Sequence, residues 1–532
     1  MSVSPGNAAA RDVRVPLRLR CGPTTVGLAT GLAALALYAA TGSRGVEWQD
    51  SGVHQFRIVT GTVAHPFGLA LTHPLHHWLG RAVMHIALGN PFHRLNLLSG
   101  VCGAVGVGVL AGLVVGLTRS SAAGALAGTT LALAHSYWQM SAVTETYTLA
   151  AALMTIECAV LLRYVQTQRP AWLVALFAVN GLHVADHLLG LLTLAPYGVL
   201  LLERIVRRRV GLRWLPLALA AWAVTASPYW TLVVAQGVQT ADWSGTLRSA
   251  LFGGSPLSPG WVAEVLNTHV SIGQLKLAAL ALGYCFPSAA GLIALVGLWH
   301  RFETGGTVLL RRVLLAQTAL IVAFVARYTI QDVYTYFVPV CVLTALWFGC
   351  GVASLLRRWP RARNWMIALL AVHALVPPAV YAWFPGAARE HGWLRVQLRK
   401  VPYRDPYVHF FRPWRVPDAS ADVFADEVLR RLGENGWLLG DVTTAFPAAA
   451  VHHVRNGPAG VRIYLWRDCL TPWGAGTLTD DELRAFVEQG GRVLAVPAPV
   501  IEGQIPQPLL LDKTDVFWRV VAKLDRPAPA ES

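Results

Sequence analysis

Residues able to do chemistry gather early in the chain. In W-Q-D-S-G, Asp50 follows the first long apolar segment, and His54, His65, His73, His76 and His77 precede the next one. A carboxylate at such a point is suited to take a proton from an attacking hydroxyl, or to stabilise charge on an acceptor. Helical spacing in H-P-L-H-H would set His73 beside His76 and His77, which raises a metal reading. The run matches no established zinc pattern, so neither a metal ligand nor a cofactor is assigned, and a divalent ion stays compatible with the segment. Further along, Glu145 in A-V-T-E-T-Y stands at a helix end with Tyr147 behind it, and His183, Asp186 and His187 crowd the turn of a helical hairpin. Asp242 and Trp243 fall in an outer loop of about forty residues, long enough to cover a cavity. Asp332 precedes another helix with Arg327 nearby. Ionisable groups at membrane helix ends are costly unless paired or wetted, which makes them functional candidates. The structural alternatives are a solvated Asp50, a snorkelling Glu145 and an Asp332–Arg327 ion pair.

Such groups need elements to hold them, and composition says which kind. Of 532 residues, 54% are hydrophobic and 14% charged, against about 25% charged in ordinary globular proteins. The expected class is an all-α polytopic membrane domain with a small soluble α/β domain behind it. The net charge of +15 does not imply nucleic acid, because the arginines fall in short clusters between apolar runs, as in cytoplasmic loops. The seven cysteines form no CxxC pair and imply neither a disulfide framework nor a zinc site.

Spanning helices need about 20 mostly apolar residues. The runs meeting or nearly meeting this are Thr24–Ala40, Leu97–Leu117, Ala122–Met140, Tyr147–Leu162, Ala171–Ala185, Leu188–Leu202, Leu215–Val234, Leu275–Leu298, Val308–Ala326, Tyr334–Leu356 and Trp365–Phe384. They predict about eleven helices. Ala171–Ala185 and Leu188–Leu202 are parted only by the polar pair Asp186-His187. Phe67–Leu88 is too polar for a span and is expected as an interfacial or re-entrant helix. Residues 1–23 form a cytoplasmic tail ahead of a retained signal-anchor helix, 24–384 the membrane domain with its first outer loop at 41–96, and 385–532 an extracytoplasmic domain. Alternating the helices puts the arginine clusters on one side, which the positive-inside rule makes cytoplasmic. Asp50, the histidines, Glu145, His187, Asp242 and Asp332 fall on the other. In the last region, Ala421–Leu432 reads as an amphipathic helix, Trp437–Leu439, Val461–Leu465 and Arg492–Val496 as strands, and Asp480–Glu488 as a helix capped by Thr479. The final Pro- and Ala-rich residues read as disordered.

The motifs, taken in order, carry a resemblance. W-Q-D-S-G stands fifteen residues before H-P-F-G; then come R-L-N-L-L-S at Arg94–Ser99, Y-W-Q-M-S-A-V-T-E-T-Y at Tyr137–Tyr147, G-L-H-V-A-D-H at Gly181–His187, D-W-S-G at Asp242–Gly245 and D-V-Y-T-Y-F-V-P at Asp332–Pro339. The series resembles a family of glycosyltransferase-C-like (GT-C-like) membrane proteins that includes bacterial members of mostly undefined function and the eukaryotic O-mannosyltransferase of plexin-type receptors. The resemblance covers roughly residues 24 to 385. It departs from the usual D-S-G-E and H-P-P-G-Y-P at Val53, Phe67, Leu69 and Ala70, and Asp186 replaces a usual Asn.

The resemblance implies a membrane glycosyltransferase of the multi-pass kind, in a bacterial inner membrane, that moves a sugar such as mannose from a polyprenyl-phosphate donor to a hydroxyl on a protein or glycan acceptor, with inversion. Asp50 would be its catalytic base. Ser51, Gly52, His54, His65, Pro66, Arg94, Glu145, Tyr147, His187, Asp242, Trp243 and Asp332 would bind substrate. Arg57, Arg81, Arg94 and protonated histidines are the expected cations for the leaving phosphate. Membrane lipid is an expected partner and nucleic acid is not. A polytopic transporter and a non-catalytic envelope assembly protein are the competing classes. Transporters place such groups at the midplane within repeated halves, and no repeat is visible here.

Overall fold

The apolar runs ahead of Glu390 become helices because a backbone surrounded by apolar side chains must satisfy its own polar groups. A computed structural model of the chain describes residues 21–87, 89–302, 307–328, 330, 333–393, 400–470, 476–503, 505–513 and 515–522. In chain order the helices are α1 (Pro23–Thr41), α2 (Gln49–Thr60), α3 (Pro74–Met84), α4 (Pro91–Thr118), α5 (Ser121–Ala132), α6 (His135–Ser141), α7 (Tyr147–Thr167), α8 (Ala171–Asp186), α9 (Gly190–Val206), α10 (Trp214–Thr225), α11 (Ser227–Thr240) and α12 (Trp243–Phe252). After the single turn α13 (Val262–Val265) come α14 (Ile272–Cys285), α15 (Ala290–Gly297), α16 (Thr307–Arg327), α17 (Phe337–Arg358), α18 (Arg363–His373) and α19 (Val376–Glu390).

Among the described residues, six helices are long and apolar enough to cross a membrane, or up to eight if each of two bent pairs counts as one span. The bends fall where proline removes a helix donor. α10 and α11 turn by 70° ahead of Pro228, and α14 and α15 by 102° around Pro287. The expected span Ala122–Met140 is two helices, α5 and α6, broken at Leu133-Ala134. The division at Asp186-His187 is real, with α8 ending at Asp186 and α9 starting at Gly190. The Phe67–Leu88 stretch is a 3-10 turn, Leu69–Leu71, followed by α3.

The first outer segment is not the loop that its polarity predicts. Asp50 lies in the first turn of α2, and Gly61 closes that helix in the left-handed conformation (φ 77°), its N–H donating to the carbonyls of Arg57 and Ile58. Glycine reaches that conformation without a Cβ penalty.

Beyond α20 (Pro406–Phe411) and α21 (Ser420–Leu432), a six-stranded sheet runs in the order β3-β2-β1-β4-β6-β5. The strands are β1 (Trp437–Gly440), β2 (Arg462–Leu465), β3 (Asp468–Cys469), β4 (Val493–Ala495), β5 (Leu510–Asp512) and β6 (Trp518–Val521). β1 pairs in parallel with β2 and β4, and the remaining pairs are antiparallel. α22 (Val442–Val454) joins β1 to β2, and α23 (Asp480–Glu488) covers the opposite face, started by the predicted Thr479–Glu482 capping box. The Pro- and Ala-rich end, 523–532, lies outside the described residues, as does the N-terminal tail 1–20.

This α/β unit is packed against the membrane domain. Val46, Trp48, Val53 and Phe56 share one buried cluster with Phe424, Phe446, Ala449 and Leu494. Gly52 permits the approach of α2 to α22, since a Cβ there would lie 2.5 Å from the Glu47 carbonyl oxygen and 3.2 Å from the Pro447 ring.

Candidate active site

α2 presents three faces, because residues four apart on a helix lie together. Val53 and Phe56 face α22. Ser51 and Gln55 face the membrane helices. The Ser51 hydroxyl donates to Glu145 Oε1 at 2.8 Å, and Gln55 Nε2 donates to Asn96 Oδ1 at 2.9 Å and to Thr144 Oγ1 at 3.1 Å. Asn96 Nδ2 in turn donates to the carbonyls of Ser43 and Gly45. The Glu145 N–H donates to Ser99 Oγ at 2.9 Å. Asp50 and His54 make the third face. Asp50 is exposed at the helix start, where the helix dipole favours a negative charge. Just before it, Gln49 holds a left-handed φ of 56°, and its side-chain oxygen lies 3.4 Å from His409 Nε2.

His54 opens onto an imidazole cluster. Its ring centroid is 5.6 Å from those of His73 and His76, both buried on or beside α3. His73 lies 4.9 Å from His187, which meets Tyr147 in a tilted contact at 5.1 Å and Tyr336 edge-on at 5.9 Å. The His73 Nδ1–H donates to the Asp186 carbonyl at 2.6 Å, which leaves Nε2 as the acceptor of a neutral ring. His76 Nε2, His77 Nδ1 and both Asp186 carboxylate oxygens are buried and find no hydrogen-bond partner among the described residues. His65, at the start of H-P-F-G, accepts the Phe67 N–H on its own Nδ1 at 3.1 Å.

The expectation of protonated histidines is corrected. Burial pushes His54 and His65 well below the ordinary imidazole value, His73 and His77 to about 4 and His76 to about 3, helped by the neighbouring imidazoles and Arg57. These rings are neutral near pH 7 and offer N–H donors and nitrogen acceptors, not charge.

The expected phosphate arginines are likewise engaged with backbone. Arg57 is 2% exposed and donates to the carbonyls of Val63, Ala64, Leu71 and Thr72, so the H-P-F-G segment is wrapped around it. Arg81 donates to the Ile58 and Val59 carbonyls at the end of α2. Arg94 donates to the Met84 carbonyl, while its Nε has no partner among the described residues.

Other predicted site residues have structural partners too. The Pro66 carbonyl accepts from Ser255 Oγ, the Phe67 carbonyl accepts the Gly254 N–H, and Ser249 Oγ accepts the Leu69 N–H. Together these fasten the first outer segment to the one after α12. Asp242 caps α12, its carboxylate accepting the Gly245 N–H at 2.8 Å, and Trp243 is 47% exposed. Asp332 lies outside the described residues. Val53, where the resemblance expects Glu, is 0% exposed in the cluster shared with α22 and does not face the imidazoles. No group of three or more His, Cys, Asp or Glu among the described residues is arranged to hold a metal ion.

A second polar cluster joins His183 to residues that no motif singles out. Glu157 on α7 accepts from Asn180 Nδ2 at 3.0 Å, His183 Nδ1 at 2.9 Å and the Tyr197 hydroxyl at 3.2 Å. Trp222 Nε1 donates to Asn180 Oδ1, and Gln317 Nε2 to the Tyr197 hydroxyl. A lone carboxylate in the middle of the apolar run Tyr147–Leu162 was the signal available.

The fold and the site at one end of the helices define a class. The chain matches the structure of ArnT from Cupriavidus metallidurans in the apo state with a TM-score of 0.57 at 17% identity, over 93% of this chain and 97% of that one. The structure of the same protein bound to undecaprenyl phosphate matches with a TM-score of 0.54 at 16% identity, over 94% and 98%. The architecture is therefore the GT-C-like one, a helical membrane domain with a small α/β unit after it. More particularly, residues 50–209 match the family described as the protein O-mannosyl-transferase TMEM260 N-terminal domain. That stretch starts at Asp50 and ends beyond His187, and it agrees with the resemblance read from the motifs.

Proposed function

We propose that the protein is a membrane glycosyltransferase that moves a sugar from a polyprenyl-phosphate donor to an acceptor hydroxyl, with Asp50 as general base. The observation that carries this reading is the meeting, along α2, of an exposed carboxylate with a buried imidazole cluster and the Ser51–Glu145 pair, all at one end of a GT-C-like helical domain. The undecaprenyl phosphate in the ArnT structure supports a lipid phosphate as the donor's carrier. The O-mannosyl-transferase description of the matching family supports mannose as the sugar and a protein hydroxyl as acceptor.

Asp50 takes the proton of the acceptor hydroxyl as its oxygen attacks C1 of the sugar. The bond between C1 and the phosphate oxygen breaks on the opposite face, so configuration inverts and polyprenyl phosphate departs. Neutral imidazoles can donate N–H to that phosphate, and an arriving anion raises their affinity for protons. With the N-terminus cytoplasmic and α1 as the first crossing, Asp50 and the α/β unit packed on α2 lie on the extracytoplasmic side. Surface labelling of a cysteine placed at the exposed Glu434 from the cytoplasmic side would contradict that orientation.

The test is transfer from labelled polyprenyl-phosphate mannose by the purified full chain in liposomes. Asp50→Asn keeps shape and hydrogen bonding but takes no proton, so kcat should fall about 10²–10⁴-fold with an unchanged melting temperature. His65→Ala should raise KM more than it lowers kcat. Wild-type rates in Asp50→Asn would remove Asp50 from the mechanism.

A further inference from the structure

At the other end of the membrane helices, a groove of about 1080 Å³ runs between α1, α4 and α7. α1 and α4 approach through glycines. A Cβ on Gly27 would lie 2.7 Å from the Gly108 carbonyl oxygen, and one on Gly112 3.0 Å from that of Pro23. The close approach leaves α7 to form the far wall, with Ile156, Ala159 and Val160. The groove is open along its side, where Leu28 and Leu32 are 63% and 64% exposed and Val101 and Val105 are 41% and 45% exposed. One end is polar, lined by Arg119, Arg163 and Gln166, and among the described residues no Asp or Glu lines it.

The polar end is far from Asp50. Ser99 on α4 touches Glu145 at the outer end, and Arg119 caps the same helix at its other end. At 1.5 Å per residue the two are about 30 Å apart, the thickness of a bilayer's hydrocarbon core.

We propose that this groove binds an anionic phospholipid of the leaflet opposite Asp50, its acyl chain along the open apolar wall and its headgroup phosphate between Arg119 and Arg163. Charge selects the occupant. Two full positive charges outweigh the partial negative ends of α4 and α7, each worth about half a charge. Basic pockets between transmembrane helices on the cation-rich side suit acidic headgroups, whereas a zwitterionic headgroup brings its own cation to the same place. The site is separate from the transfer chemistry and does not depend on it.

Native mass spectrometry of the full chain, titrated with phosphatidylglycerol or phosphatidylcholine, tests this. The wild type should bind phosphatidylglycerol more tightly, and Arg119→Gln and Arg163→Gln should each weaken that binding about 5-fold. Val105→Trp narrows the groove at an exposed position without changing charge, and it should also lower binding. Arg208→Gln with Arg209→Gln removes two cations outside the groove and should leave binding unchanged. Equal affinity for both lipids overturns the proposal, and so does an equal loss in the Arg208/Arg209 variant. Polyprenyl phosphate losing affinity in the Arg119 and Arg163 variants while phosphatidylglycerol does not would assign the groove to the donor and overturn it too.

Discussion

Helix α8 serves two buried polar clusters one turn apart, and they are built differently. At the inner one, each Glu157 oxygen accepts at least one hydrogen bond, and Asn180, His183 and Tyr197 all find partners on neighbouring helices. At the outer one, the same helix ends in an Asp186 carboxylate whose two oxygens are buried without partners among the described residues, beside imidazoles with unmatched nitrogens. Unmatched buried polar groups cost stability, so their concentration near Asp50 is informative. A saturated cluster fastens helices. An unsaturated one is prepared for a ligand that brings donors and acceptors of its own.

The contrast can be broken most forcefully at Glu157. Glu157→Ala leaves the donors of Asn180, His183 and Tyr197 without their acceptor, and removing one partner of a buried pair costs about 3–5 kcal/mol. Detergent melting should show a large drop, with transfer activity falling only in proportion to folded protein. A normal melting temperature would mean that the inner cluster fastens nothing. Between the two clusters and the α/β unit, Gly52→Ala tests the joint. The added methyl meets the Glu47 carbonyl and the Pro447 ring, and overpacking of this kind costs about 1–3 kcal/mol.

Asp186→Asn should behave in the opposite sense to Glu157→Ala. It removes a buried carboxylate that has no partner among the described residues, so stability should stay level or rise by about 1 kcal/mol, while KM for the lipid-linked donor increases. A loss of stability without a change in KM would make the outer cluster structural as well. The smallest effect near neutrality is that of pH. Rings held neutral by burial bind fewer protons folded than unfolded below about pH 6.5. The share of stability that these rings carry should therefore be flat above that value and decline as pH falls towards about 4, the value for His73 and His77. Hydrogen exchange should show α3 and the end of α8 loosening first. A decline confined to the α/β unit would place the sensitive groups elsewhere.

Much of the membrane domain was legible in the sequence because it follows from local apolar runs. The ends of α1, α7, α8 and α16 fall within a few residues of their expected bounds, and the hairpin at Asp186-His187 and the Thr479 cap were both readable. Those features depend on a helix's own residues and on the cost of burying a bare backbone. Residue type and membrane side grouped Asp50, His65, Glu145 and His187 as site candidates, whereas the ring contacts of His54 with His73 and His76 came only with the structure.

Tertiary structure alone decided which face each residue takes. The W-Q-D-S-G segment is polar enough to read as a loop, yet it becomes α2 because Val53 and Phe56 have α22 to pack on. Arg57 reads in the sequence as a phosphate ligand and becomes the post around which residues 63–72 wrap, because four backbone carbonyls turn to it. The histidines are neutral because neighbouring elements exclude water from them. Local sequence specifies propensity and period, but burial, and with it charge state and partner, comes from segments hundreds of residues away.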